Sequence, residues 1–313
     1  MSWLNRRSWA EIAVLMVVLA VPGAAETARM DIYYGKPYVD VMVNGQGPFR
    51  FVVDTGTGAD ALITPALAQR LGLEDVGQVR LTDPSGQGEQ RTPVVQISSL
   101  VVAGVNFGAV RALRHALAGE DESCVGLLGF TLFRDYLLTL DFPKHALTLE
   151  RGQLAPDGDK DVMTFKAPEG VPVVTLAVGR VWIEAQLDSG GTGLMLPETL
   201  AMRVKFARDP VLFSQGQSVA TRFQMKVGRL AEDVRLGRYV FHRSVVEIHP
   251  AFPRVNVGAE PLAYFAITFD QMRGLVRLRS GQTKLRLDEI PARLRLLHEP
   301  DLKPPDPRLV PVG

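Results

Sequence analysis

The chain of 313 residues has a single cysteine, Cys124, so no disulfide can form within it and no metal site can draw on more than one sulfur. It has almost no net charge, with 35 Lys and Arg against 34 Asp and Glu, where a nucleic-acid binder would show a basic surplus or stripe. Several catalytic signatures are missing as well. There is no HExxH metal pair, no GxSxG nucleophile elbow, no GxGxxG dinucleotide loop and no GxxxxGK[ST] phosphate loop. The five histidines (His115, His145, His242, His249, His298) show no ligand spacing and are expected at the surface or the edge of a core. Cys124 is expected to be buried and inert rather than a catalytic thiol. No apolar run reaches the roughly twenty residues that a membrane-spanning helix needs.

Hydrophobic residues make up 46% of the chain, too many for a disordered protein and enough for a core in one large domain or two ordinary ones. The 29 glycines and 21 prolines imply many turns, and so β structure. Residues 1–25 read as a secretory signal peptide: Arg6 and Arg7 open it, Ile12 to Val21 form a short apolar stretch, and Pro22-Gly23-Ala24-Ala25 supplies small residues for cleavage. The mature protein is therefore expected outside the cytoplasm, periplasmic or secreted, with membrane attachment only if that segment is retained.

The most informative feature is an internal repeat. Around Phe51 the chain reads FRFVVDTGTG, and around Ile183 it reads IEAQLDSGGTG. Each is an apolar run ending in Asp-(Thr/Ser)-Gly, at Asp54-Thr55-Gly56 and Asp188-Ser189-Gly190. Upstream, PYVDVMVNGQ from Pro37 matches VPVVTLAVGR from Val171 at the same offset from the aspartate. Alternation across a Gly-containing turn signals a hairpin, so each aspartate should end a second strand. Downstream, GFTLFRDYLLTLD aligns with GAEPLAYFAITFD, and twelve residues separate Gly129 from Asp141 as they do Gly258 from Asp270. A helix of two or three turns is expected after each motif, one with Thr64 as N-cap, Pro65 at its first position and Gly72 closing it, the other starting at Pro197. Asp, Ser and Gly all favour turns, but turn preference does not explain why both motifs fall at the same place in duplicated halves.

The predicted organisation is a signal peptide at 1–25, an N-terminal half at 26–155, a C-terminal half at 156–282, and a basic, proline-rich tail at 283–313. The halves meet at the polar joint around Ala155-Pro156-Asp157-Gly158-Asp159. Val39, Val41, Val43, Phe51 and Val53 are predicted to line the first core, and Val173, Leu176, Val178, Ile183 and Leu187 the second.

If two similar halves pack about a local two-fold axis, Asp54 and Asp188 meet beside it. Two carboxyls a few ångströms apart cannot both ionise cheaply, so the pair would hold one proton between them. The ionised member can then take a proton from water while the protonated member donates to a peptide carbonyl. The proton-sharing carboxylate dyad is a general pattern. Gly56 and Gly190 permit the sharp turn and leave room for substrate backbone, while the Thr55 and Ser189 hydroxyls can hydrogen-bond across the axis.

On these residues the sequence resembles the pepsin/retropepsin clan of aspartic proteases, in particular the bacterial retropepsin-like proteins. The resemblance runs through DTGTGADALITPALAQRLGL, GLLGFTLFRDYLLTLDFP with ALTLER, DSGGTGLMLP and NVGAEPLAYFAITFD. It implies an all-β, bilobed fold of two related β-barrel lobes with a cleft that takes a peptide or protein substrate. It also implies an aspartic-type endopeptidase that needs no metal or cofactor, with Asp54 and Asp188 catalytic and Thr55, Gly56, Thr57, Ser189 and Gly190 in support. Both aspartates lie in one chain, so a monomer suffices; a catalytically silent peptide-binding scaffold of the same fold is the alternative. Three departures stand out. Gly191 occupies the position where many pepsin-like proteins place a hydroxyl against the catalytic carboxylate, which Thr57 supplies in the first half only. The flap-like stretch from Leu81 to Thr92 has a Pro-Ser-Gly turn but no tyrosine. The chain can form none of the disulfides common in secreted pepsins.

Overall fold

One short hairpin sets the plan of each half. Residues Lys36–Val43 and Gln46–Asp54 alternate apolar and polar side chains and join through Asn44-Gly45, both at positive φ (51° and 74°), as a two-residue turn matched to strand twist requires. In the second half Val173–Val178 pairs with Val181–Leu187 across a loop whose Gly179 has φ of 58°. The computed structural model describes residues 25–82, 89–117, 123–155, 161–217, 222–250, 252–282 and 284–287. The signal-peptide segment, most of the polar joint, the Pro-Ser-Gly turn and most of the tail lie outside the described residues.

Around each hairpin the same sheet is built twice. The first runs, in order of pairing, Asp75–Thr82, Glu89–Ile97, Val110–Arg114, Ala61–Ile63, Cys124–Gly129, Gln46–Asp54, Lys36–Val43, Leu100–Val102 and Val105–Asn106, with Asp31–Tyr33 alongside Lys36–Val43. The second runs Val211–Gln217, Arg222–Arg229, Val245–His249, Leu194–Pro197, Val255–Val257, Val181–Leu187, Val173–Val178, Val234–Leu236 and Tyr239–His242, then Lys284–Arg286. The first nine positions correspond strand for strand. In both, the strand that ends at or just before the motif aspartate is paired in parallel with a later strand, Cys124–Gly129 or Val255–Val257. The fold is thus mostly β, in several sheets, and the internal duplication read from the sequence is carried through its topology.

A six-stranded sheet joins the halves, in the order Glu26–Arg29, Ala146–Glu150, Leu137–Asp141, Ala266–Asp270, Leu275–Arg279 and Val162–Thr164. Its central pair is antiparallel and places Thr139 against Thr268, with their hydroxyls 2.9 Å apart. These threonines are each other's counterparts in the repeat, so a local two-fold axis passes between them. Beside this sheet Phe130, Phe165 and Phe269 pack edge to face, with ring centres 5.1–6.3 Å apart.

The predicted core is largely observed: Val39, Val41, Val43, Phe51, Val53, Val173, Leu176, Val178 and Leu187 are buried. Ile183 is only half-buried, packed against the core from its edge. Cys124 is buried, its thiol donating to the Gly126 carbonyl at 3.2 Å. His249 is more deeply enclosed than expected, its ring against Phe252, and burial lowers its pKa.

The helices are shorter than predicted. The first spans Pro65–Arg70, capped by the Thr64 hydroxyl and closed by Gly72 at φ 63°, with the caps where the sequence put them. The second is the single turn Glu198–Ala201. The strands Ala61–Ile63 and Leu194–Pro197 run almost up to the helix starts, and so little chain is left to wind before the next strand. The start of the tail is also ordered: Lys284–Arg286 pairs in parallel with Tyr239–His242 and buries Leu285, giving a packing role to one apolar residue in a charged stretch.

Candidate active site

Asp54 is the last residue of its strand, and Asp188 directly follows Leu187. Each is held there by the parallel neighbour: Gly129 sits opposite Asp54 in the register, and the Asp188 N–H donates to the Val257 carbonyl at 2.9 Å. The two glycines aligned in the repeat have a steric reason to be glycines. A Cβ on Gly129 would lie 1.8 Å from the Ala59 carbonyl oxygen, and one on Gly258 would lie 2.6 Å from the Gly193 carbonyl oxygen, so the loop after each aspartate can press onto its strand only if nothing projects there.

The loops meet through a reciprocal lock. The Thr55 hydroxyl donates to the Leu187 carbonyl at 2.8 Å and accepts from the Ser189 N–H at 3.0 Å. The Ser189 hydroxyl donates to the Val53 carbonyl at 2.7 Å and accepts from the Thr55 N–H at 3.0 Å. Both residues are essentially inaccessible to solvent. Ser189→Ala would strip partners from two buried backbone groups, the Thr55 N–H and the Val53 carbonyl. A loss of about 2–4 kcal/mol is expected, read as a lower urea midpoint at unchanged slope; Thr55→Val should do the same from the other side. An unchanged midpoint would mean that the lock does not hold the halves together.

The lock brings the carboxyls of Asp54 and Asp188 within hydrogen-bonding reach of each other. The closeness also shows in the glycines. A Cβ on Gly56 would lie 2.4 Å from Asp188 Oδ1, and one on Gly190 would lie 2.3 Å from Asp54 Cγ, so each motif glycine makes room for the opposite aspartate. All the residues predicted for the site, Asp54, Thr55, Gly56, Thr57, Asp188, Ser189 and Gly190, therefore assemble in one place.

The electrostatics follow from this packing. Asp54 is half-buried and Asp188 is 9% exposed. Desolvation, then the charge of Asp188 and a hydrogen bond with its carboxyl, raise the Asp54 pKa from 3.8 to about 8, against the opposing effect of the Thr57 hydroxyl and the Gly56 N–H. The Gly56 N–H donates to Asp54 Oδ1 at 2.8 Å and the Thr57 hydroxyl to Oδ2 at 2.8 Å. At Asp188 the N–H groups of Gly190 and Gly191 donate to Oδ1 at 3.0 and 2.8 Å.

Asp188 Oδ2 receives its hydrogen bond from a residue that sequence reasoning did not single out, Asn256, whose Nδ2 lies 2.6 Å away. The signal was present in the aligned repeats: counting back from Gly129 and Gly258 sets Asn256 against Leu127, a polar residue where the other half has an apolar one. A second such exchange is Gln186 against Val52, and the Gln186 amide donates to the Gly56 carbonyl at 3.3 Å. The described ends of the flap-like stretch, Leu81–Thr82 and Glu89–Thr92, lie in the antiparallel pair Asp75–Thr82 and Glu89–Ile97, whose counterpart is Val211–Gln217 with Arg222–Arg229; residues 83–88 between them lie outside the described residues.

Comparison with known proteins agrees with this geometry in the first half. A curated protein from Methanosarcina barkeri (strain Fusaro / DSM 804), described as a probable phosphoglucosamine mutase, is 23% identical over 266 residues, which is 82% of this chain but 59% of that protein. The chain thus spans less than two thirds of that relative's length, and identity at this level settles neither fold nor activity. A family described as aspartyl protease matches residues 39–132, the stretch that contains Asp54, its supporting loop and the strand Cys124–Gly129 beside it. Residues 39–132 thus match the aspartyl protease family, and the match stops short of the second motif at Asp188.

Proposed function

We propose that the chain is an aspartic endopeptidase that hydrolyses peptide bonds with Asp54 and Asp188 as its catalytic pair. The observation that carries this reading is the reciprocal Thr55–Ser189 lock, which brings the two carboxyls together; a pair so placed can hold one proton between them. In the proposed reaction the ionised carboxyl takes a proton from water as the water oxygen attacks the peptide carbonyl carbon. The protonated carboxyl gives its proton to the carbonyl oxygen, and the product is a gem-diol. On collapse the C–N bond breaks, the first carboxyl returns a proton to the leaving nitrogen, and the second recovers one from a gem-diol hydroxyl. Both groups end in their starting states.

On this reading the two ten-stranded sheets are the cores of two lobes, and the substrate lies across the dyad in a cleft between them. The strand pairs Asp75–Thr82/Glu89–Ile97 and Val211–Gln217/Arg222–Arg229 would then cover it. One chain supplies both aspartates, so the enzyme works as a monomer, and the N-terminal signal would send it to the periplasm or beyond.

The test is incubation of the purified chain with a mixed peptide library from about pH 3 to 9. Cleavage is expected, independent per molecule of protein concentration. It should fall as pH rises through about 8, because the proton that makes Asp54 an acid is lost there. Peptide binding without cleavage at every pH would overturn the endopeptidase in favour of a scaffold.

A further inference from the structure

We infer that Asn256 is a positioning residue that pins the negative charge of the dyad on Asp188 and leaves the shared proton on Asp54. The inference extends the endopeptidase reading by dividing the two roles: Asp188 is the base that draws a proton from water, and Asp54 is the acid that protonates the peptide carbonyl.

The two halves treat their aspartates differently. Asp188 accepts from three groups that can only donate at that contact: the Gly190 and Gly191 N–H groups on Oδ1 and the Asn256 amide on Oδ2. A proton on either oxygen of Asp188 would have to compete with one of these donors. Asp54 accepts from one N–H, and its second partner is the Thr57 hydroxyl, which can rotate and accept instead. A protonated Asp54 therefore keeps a satisfied network, whereas a protonated Asp188 does not. The groups that face Asp188 are Asp54, these backbone N–H groups and the Asn256 amide.

Asn256 is 4% exposed, lies in the strand Val255–Val257, and its Oδ1 has no hydrogen-bond partner among the described residues. Its side chain thus spends its one strong contact on Asp188, while its register counterpart Leu127 packs in an apolar cluster with Tyr38, Val52 and Cys124. Gly191 belongs to the same exchange. A Cβ there would come 2.7 Å from Asp188 Oδ2 and 2.9 Å from Asn256 Nδ2, so a hydroxyl-bearing residue at 191 and an asparagine at 256 compete for one space. The first half uses the hydroxyl of Thr57; the second half uses the amide.

The experiment has two arms on the full chain. In the first, the carboxyl carbons of Asp54 and Asp188 are followed by 13C NMR near pH 6, with Asp54→Asn and Asp188→Asn used for assignment. Asp188 should carry the ionised-carboxylate shift and Asp54 the protonated one, and in Asn256→Leu the difference should shrink. The reverse assignment, or unchanged resonances in Asn256→Leu, overturns the inference even if no peptide is ever cleaved. In the second arm Asn256→Leu should lower kcat about 10- to 100-fold with little change in KM, the effect of one hydrogen bond to a charged group. Gly191→Ser alone should also impair turnover. The combination Gly191→Ser with Asn256→Leu rebuilds the first half's arrangement and should recover most of it. Failure of the pair to recover while the folded variants show unaltered melting curves would refute the role; Asn256→Ala, which only removes atoms, serves if leucine disturbs the strand. A wild-type chain that cleaves nothing refutes the endopeptidase, and the NMR arm still decides the inference.

Discussion

Asp54→Asn and Asp188→Asn should each reduce peptide cleavage by about 10³-fold or more, the upper part of the range for removing a general acid or base. An asparagine amide has nearly the shape of a carboxyl but can neither take a proton from water nor deliver one to a carbonyl. The two aspartates are one device, because one arms the nucleophile while the other receives charge at the carbonyl oxygen. The losses should therefore not add: the double variant should be little worse than either single one. Both variants keep the Thr55–Ser189 lock, so far-ultraviolet circular dichroism should stay unchanged. A single variant with normal turnover would take that carboxyl out of the chemistry.

Asp54→Asn should also change stability, in a direction that depends on pH. The folded state holds a proton on Asp54 up to about pH 8, whereas the unfolded chain releases it near 3.8. Between these values folding takes up a proton, so the contribution of Asp54 to stability is fully present below about pH 3.8 and is lost as pH rises toward about 8. The neutral amide has no such dependence. The variant should therefore match the wild type near pH 4 and exceed it at pH 7 to 8, read as a melting temperature higher by several degrees. Comparing the two proteins at each pH cancels whatever contributions they have in common. A gap that stayed constant from pH 4 to 8 would show that Asp54 does not hold the proton. The same substitution would then abolish turnover and strengthen the fold, as expected where burial of two like charges is kept for chemistry rather than for stability.

Much of the site is legible in the amino-acid sequence. Asp54, Thr55, Gly56, Thr57, Asp188, Ser189 and Gly190 stand in two short motifs within a repeat, and repetition reports on spatial equivalence without needing distances. Strand alternation points to the buried faces at Val39, Val41 and Val43 because a pleated strand turns every second side chain inward. The same rule fails at Ile183, since it reports which face a residue is on and not how near it lies to the edge of its sheet. Helix caps at Thr64 and Gly72 are legible, being local hydrogen-bond and backbone requirements; helix length is not, because the strands that run up to each helix are ended by pairing with distant segments.

Asn256 marks the limit of what the motifs reveal. It lies 68 residues beyond Asp188 in the chain, yet its amide takes the place of a hydroxyl that a neighbouring residue provides in the other half. The amino-acid order alone determined that two equivalent acidic turns exist and that each needs glycines beside it, because those demands are met within a few residues of backbone. Only the tertiary structure decided that the turns touch and which donors surround each carboxyl. Desolvation and hydrogen bonding between remote segments arise only when the strands that carry them are brought together.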